Sequence, residues 1–133
     1  LIILYHTNTR SCKKAKKWLE MHNISYVDRN IHVKHLSVEE IISILRTNDT
    51  GTEGLISTRS AVFQKLKIDL NTIPLKELIG LIHEHSDLIR TPIILDHKRI
   101  NVGFKEDDIR CFLPRNLRMI EFEKQIKNLL QLN

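Results

Sequence analysis

Three observations on the sequence predict an α/β fold. An apolar run, Leu1 to Tyr5, passes through the short polar turn His6–Ser11 into a helical pattern that begins at Cys12. A second apolar run, Thr91-Pro92-Ile93-Ile94-Leu95, resumes the sheet far downstream. Between them, residues 37–86 read mostly as helix, a block inserted between strands. The first run is short and continuous, as in a strand buried on both faces.

The elements follow in order. Ala15, Trp18, Leu19 and His22 recur at helix spacing, and Lys13, Lys14, Lys16 and Lys17 cover the remaining arc. A cysteine at a helix start is where backbone N–H groups stabilise a thiolate, and the lysines and His6 are expected to add to that. Asn23 begins a turn, and Ile24–Ile31 reads as a second strand with imperfect alternation. Ser37 and Glu40 have capping-box spacing, and Ile41, Ile44 and Leu45 continue a helix that ends near Arg46. The polar loop Thr47–Gly54 holds two glycines and no hydrophobic residue, so it is expected to be exposed. A helix over 58–66 turns Val62, Phe63 and Leu66 inward. Another starts at Pro74 and carries Leu78, Ile79, Leu81 and Ile82 to about His85.

After the strand ending at Leu95, Asp96–Arg99 turns the chain into a short return strand, Ile100–Val102. A short helix over Glu106–Phe112 has acidic residues at its start and Arg110 near its end, and Pro114 closes it. In the tail, Met119, Phe122, Ile126, Leu129 and Leu130 lie at helix spacing, which predicts an amphipathic helix over about 116–131, docked or half-docked on the body.

Composition narrows the function classes. At 133 residues the chain fits a single domain, 1–133, with a core that needs no staples. Leu1 stands where an initiator methionine would, consistent with a residue or two before it or a non-standard start. No apolar run approaches the roughly 20 residues that span a bilayer, and no signal peptide precedes the first strand. Cys12 and Cys111 make no disulfide framework, so a reducing cytoplasm is the expected compartment, with no membrane partner. The formal charge of +5 permits a nucleic-acid or acidic partner, although lysine-rich helix faces are more often simply solvated. His83 and His85 fall on different helix faces, and His32 and His35 have no cysteine nearby, so neither a metal nor a cofactor is expected. No Gly-rich phosphate loop and no Ser-His-Asp order stands out.

The segments RSCKKAKKWL, EGLISTRSAVFQKL, LIHEHSDLIR, TPIILDHKRINVGF and EDDIRCFLPR resemble the Spx regulators of low-GC Gram-positive bacteria, within the arsenate reductase family. The blocks run in order from the first strand to Pro114-Arg115, with one small length change before Cys12. The resemblance implies a thioredoxin-like fold, a four-stranded mixed sheet with a helical insert over about 37–86, and a cis peptide at Pro92. Spx proteins carry C-x-x-C as a thiol–disulfide switch and bind the C-terminal domain of the RNA polymerase alpha subunit. Arsenate reductases use one cysteine at the first position of that loop. Here Thr9 holds this position, or Arg10 if the loop is aligned one residue over. Tyr5-His6 matches the pair that opens the reductase loop, without the nucleophile the histidine would assist. The family's arginine before the strand-entry proline is Thr91, with Arg90 beside it. Arg46 and Gly51 match positions that contact the alpha subunit in Spx proteins; read without the resemblance, Gly51 is an ordinary loop turn. Arg59, Arg90, Thr91 and Pro92 form an expected anion or switch site.

These readings converge on a non-enzymatic, cytoplasmic transcriptional regulator of the Spx type that binds the polymerase alpha subunit and lacks the redox switch. Promoter DNA is then contacted weakly or indirectly, through Lys13, Lys14, Lys16, Lys17, Lys98 and Arg99. An apolar C-terminus (Leu129, Leu130, Leu132) suits recognition by an ATP-dependent protease, as the resemblance implies. The rival is an arsenate reductase-like thiol oxidoreductase in which the residual thiol Cys12 works with glutathione or thioredoxin. A third reading is a paralogue that occupies the same polymerase surface and competes with a redox-active Spx protein. Cys12 itself reads equally as a low-pKa thiol and as a helix-start residue packed on the sheet.

Overall fold

Alternation along the first strand divides the molecule. In the computed structural model, which describes residues 1–48 and 51–131 without the side chains of 115–118 and 121, β1 (Ile3–His6) sends Leu4 to one face and Tyr5 to the other. It pairs in parallel with β2 (Val27–Asn30) and antiparallel with β3 (Ile93–Leu95). β3 pairs antiparallel with β4 (Ile100–Val102), so the mixed sheet has the order β2-β1-β3-β4. Ile93 and Leu95 share the face of Tyr5, and Ile94 shares that of Leu4. The four-stranded mixed sheet and the cis peptide at Thr91-Pro92 agree with expectation.

One face receives α1 (Arg10–Met21) and the chain's later turns. Ala15, Trp18 and Leu19 pack with Leu4, Ile94, Ile109, Phe112 and Leu113. The other face receives the insert: α2 (Val38–Thr47), α3 (Thr52–Leu55), α4 (Ala61–Leu66), α5 (Leu75–Glu84) and a 3-10 turn, Ser86–Leu88. Ile41 and Ile44 of α2 and Leu78 and Ile82 of α5 are buried in the same cluster as Tyr5 and Ile93. The insert closes on itself where Ile56 bridges Ile89 and the Arg90 N–H donates to the Leu55 carbonyl at 2.8 Å. The chain ends with α6 (Glu106–Ile109), a 3-10 turn over Arg110–Phe112, and α7 (Arg115–Gln131). Among the described residues no helix is long and apolar enough to cross a membrane.

The structure corrects several sequence expectations. The first helix starts at Arg10, because the Thr9 side chain caps it, so Cys12 lies inside its first turn. The second strand spans only four residues, Val27–Asn30, since Ile24 and Tyr26 instead pack on the α1 face before pairing begins. The loop expected at 47–54 contains α3, started by Gly51; Asp49 and Thr50 lie outside the described residues. The helix expected over 58–66 begins at Ala61, capped by Ser60, and Leu66 faces solvent. Pro74 is the cap residue and not the first helical one. The segment expected as one helix to Phe112 tightens into a 3-10 turn after Ile109. The tail is helical, and Phe122 and Gln125 border a recess with Arg110 and Cys111, yet Met119, Phe122, Ile126, Leu129 and Leu130 are all exposed, so the helix is at most half-docked. Leu132 lies outside the described residues.

A guanidinium fastens the insert to the sheet. Arg29 of β2 donates to both carboxylate oxygens of Glu40 in α2, at 3.0 and 2.8 Å, and to the carbonyls of Lys34 and His35 in the connecting loop. Glu40 also accepts the Ser37 N–H, and Ser37 accepts the Glu40 N–H, which completes the capping box. Burial pushes the Glu40 carboxyl up, but the Arg29 guanidinium and the Ser37 N–H outweigh it and hold it below the ordinary glutamate range. Burial, then the Glu40 charge, pushes Tyr5 up to about 12. A carboxyl with a depressed folded pKa contributes stability above its unfolded pKa and loses it as pH falls through the folded value. Glu40→Gln is therefore expected to lower stability at neutral pH by roughly 2 kcal/mol, leaving a largely buried Arg29 without its counter-charge. That difference should shrink as pH falls below the ordinary glutamate range and through the lower folded value, where wild-type Glu40 is itself protonated. Chemical denaturation of both proteins across pH measures it, and a difference independent of pH would show the pair to be inert.

Candidate functional site

The loop between β1 and α1 wraps threonines around one sulfur. The N-cap Thr9 hydroxyl accepts the Cys12 N–H at 3.4 Å and lies 3.2 Å from Cys12 Sγ, to which it donates. The Thr7 N–H donates to the same sulfur at 3.4 Å. Thr7 Oγ1 is 3.0 Å from Thr91 Oγ1, which joins the loop to the residue before the cis proline. Cys12 is fully buried. Burial pushes its thiol up, but donors on Thr9, Thr7 and Thr91 outweigh it and hold the group below its ordinary value. The expected help from lysines and from His6 is absent from these causes.

His6 and Lys16 are engaged elsewhere. His6 is buried, and its Nε2 meets Asp28 on β2, whose other oxygen takes Lys16 Nζ at 2.8 Å. Lys16 and then His6 hold the Asp28 carboxyl below its usual range. His6 Nδ1 is buried with no hydrogen-bond partner among the described residues. The imidazole therefore faces β2, away from the sulfur. Thr9 occupies the mouth of the loop with no base to activate its hydroxyl, and nucleophilic attack by a hydroxyl needs one.

A cleft of about 570 Å³ opens beside the threonines. Thr7, Thr9, Ser57, Ser60 and Thr91 bring hydroxyls to it, and Arg90 and Lys105 bring cations. Of the four residues expected to form an anion or switch site, Arg90 and Thr91 line this cleft. Arg59 lies on the exposed turn before α4 and shares a smaller recess with Arg90, Ser57 and Thr58. Pro92 is buried in the sheet entry. Among the described residues, no group of three or more His, Cys, Asp or Glu could hold a metal ion. Cys12 and Cys111 are both free thiols.

The second expected surface lies on the insert, on the opposite face of the sheet from α1. Arg46 is exposed in the last turn of α2, beside a groove shared with Ile42, Ser43 and the β3–β4 turn at Asp96 and His97. Gly51 is exposed and starts α3, and its carbonyl accepts from the Asn48 side chain at 2.8 Å. Its φ of 77° and ψ of −179° lie in a region that is essentially glycine-only. A Cβ there would meet nothing within 4 Å, so the chain's own backbone conformation is enough to require glycine. Gly51→Arg therefore strains the backbone by about 1–3 kcal/mol and does not isolate a lost contact, whereas Arg46 does.

A buried loop sulfur in a helix's first turn, a cis proline across from it and a helical insert on one sheet face together define a known architecture. Residues 4–112 match the ArsC family. The chain belongs to the ArsC family. It is 48% identical over 125 residues to the global transcriptional regulator Spx of Bacillus subtilis, covering 93% of this chain and 95% of that protein. An ArsC family related protein from Bacteroides fragilis superposes with a TM-score of 0.73 at 27% identity, covering 82% of this chain and 94% of that one. The arsenate reductase from Vibrio cholerae shares the fold, with a TM-score of 0.67 at 19% identity over 77% of this chain and 88% of its own. Proteins named as regulators and as reductases thus share one fold, and the fold alone does not decide between the two activities.

The sequence reading singled out Cys12 from its place at a helix start, and Arg90 and Thr91 from the resemblance, but missed Thr7 and Thr9 as hydrogen-bond donors to the sulfur. The available signal was a threonine three residues before an interior helix position, the N-cap spacing that also brings a hydroxyl to a sulfur at N3. The capping geometry puts the Thr9 side chain, three residues before Cys12, against the sulfur. Thr9→Cys is expected to close a disulfide with Cys12 in mild oxidant, so that the thiol count falls by two, whereas Arg10→Cys, one position into the helix, should not. Thr9→Ala in a Cys111→Ser background should raise the Cys12 pKa and cost about 1 kcal/mol of stability through the lost cap. Ultraviolet thiolate absorbance against pH reads the first effect and thermal melts the second. An unchanged titration would mean that Thr9 caps the helix without tuning the sulfur.

Proposed function

We propose that this chain is a cytoplasmic, Spx-type transcriptional regulator that binds the C-terminal domain of the RNA polymerase alpha subunit through Arg46 and the Gly51 turn, without a redox switch in its loop. The observation that carries the reading is the 48% identity to the Bacillus subtilis regulator across nearly the full length of both chains. Arg46 supports it, because an exposed arginine at a helix end beside a shallow groove can donate charge-assisted hydrogen bonds to a partner. With a threonine hydroxyl where a second sulfur would sit, the loop has no local disulfide to open or close, so binding should be the same in peroxide and in reductant. The exposed apolar positions Leu129 and Leu130 are available for an ATP-dependent protease.

Titrating the isolated alpha C-terminal domain tests the interface. Wild type should bind, and Arg46→Ala should weaken binding by roughly 1–3 kcal/mol if the guanidinium becomes buried in the contact. Failure of wild type to bind, or equal binding by Arg46→Ala and Arg46→Glu, would remove this surface from the proposal.

The depressed thiol of Cys12 beside a hydroxyl- and cation-lined cleft favours a second reading, an arsenate reductase-like oxidoreductase working with glutathione or thioredoxin. Against it, the sulfur is fully buried and one helical turn past the loop mouth. Thiol-coupled arsenate reduction is expected to stay at background. Turnover that disappears in Cys12→Ser would establish the enzymatic reading instead.

A further inference from the structure

The outer face of α1 carries four cations on one stripe. Arg10, Lys13, Lys14 and Lys17 are all exposed, and their spacing of three, four and seven residues places them along one side of the helix. No ion pair involves any of them within the described residues. The fifth cation, Lys16, points sideways and is neutralised by Asp28. The stripe begins at the positive end of the helix macrodipole, and the first turn of α1 holds no acidic residue. By contrast, α2, α5 and α6 all carry acids in theirs. Four like charges at i, i+3, i+4 and i+7, added to an uncompensated helix start, destabilise the isolated helix. An anionic partner would relieve that repulsion.

We propose that the Arg10-Lys13-Lys14-Lys17 stripe of α1 is a docking surface for the phosphate backbone of duplex DNA. The inference rests on the regulator reading above and supplies that reading with its DNA contact. The stripe is about 10 Å long, at 1.5 Å of rise per residue. Duplex DNA carries about six phosphate charges over that length. A membrane surface fits less well, because the apolar side of α1 (Ala15, Trp18, Leu19) is already buried against the sheet and cannot enter lipid. A protein interface also fits less well, since interface centres are depleted in lysine and built on apolar anchors, and no aromatic side chain lies on this stripe. The sheet separates α1 from α2, so the cations and Arg46 lie on opposite layers of the molecule. A chain charged on one layer and engaged with polymerase on the other can hold both at once. Lys98 and Arg99 do not extend the stripe. They lie in the β3–β4 turn, and the Arg99 guanidinium donates to the Cys111 carbonyl. Contacts of this kind hold DNA without reading its sequence.

The test uses the full chain and a fluorescent random-sequence duplex at low salt, with anisotropy as the readout. The variant is the triple substitution Lys13→Gln, Lys14→Gln, Lys17→Gln. These positions are exposed and glutamine is a good helix former, so melts should be unchanged. DNA affinity is expected to fall at least tenfold, and the slope of log affinity against log salt to flatten by about 2–3. A control triple, Lys65→Gln, Lys67→Gln, Lys76→Gln, removes the same charge from exposed positions on the insert side and should cost much less. Titration with the alpha C-terminal domain should be unchanged by the α1 triple, so loss of that binding tests the polymerase interface and loss of DNA binding tests the stripe. Absence of wild-type DNA binding at low salt, an equal loss in both triples, or α1-dependent binding to anionic phospholipid vesicles in place of DNA would each overturn the proposal.

Discussion

The Arg29–Glu40 pair is the constraint on which the arrangement of layers depends. β2 is an edge strand of four residues with both of its first two side chains exposed, too little apolar surface to orient a helical insert by packing alone. A guanidinium that grips one carboxylate with two donors and the loop carbonyls with others sets both the distance and the angle at which α2 leaves the sheet. The capping box on Ser37 then holds Glu40 in the rotamer that meets Arg29. Burial of Ile41 and Ile44 follows from that placement, and with it the position of the exposed α2 end at Arg46.

The sheet keeps two chemistries apart. On the α1 side lie the sulfur, its threonines and the cationic stripe; on the insert side lie Arg46 and Gly51. Two of the joints between these regions lie at the strand ends: Thr7 to Thr91, and the backbone bond from Arg90 to Leu55. A change in the β1–α1 loop can reach the insert through Thr91, the residue that enters β3. In this chain that path is held by hydroxyl hydrogen bonds.

Tertiary structure also altered what several residues mean. His6 and Lys16 were plausible partners for a thiolate by sequence distance, six and four residues from Cys12. Strand pairing puts Asp28 beside both, and its two carboxylate oxygens take the His6 ring nitrogen and the Lys16 ammonium. The tail shows the reverse case. Its helix spacing predicted the element correctly, while docking requires a complementary apolar surface, and both described faces of the sheet are already covered.

Sequence by itself determined the elements whose cause is local. The buried strands β1 and β3, the capping box at Ser37, the return strand Ile100–Val102 and the apolar face of α1 all rest on neighbours within a few residues, and their signals survive in one dimension. The resemblance to a known family gave the cis proline in advance. Only the tertiary structure decided that Thr7, Thr9 and Thr91 converge on one sulfur, that Arg59 stays outside their cleft, and that Gly51 is required by its own backbone. Thr7 and Thr91 are 84 residues apart, and hydrogen bonds across that separation depend on strand order, which composition and spacing do not encode.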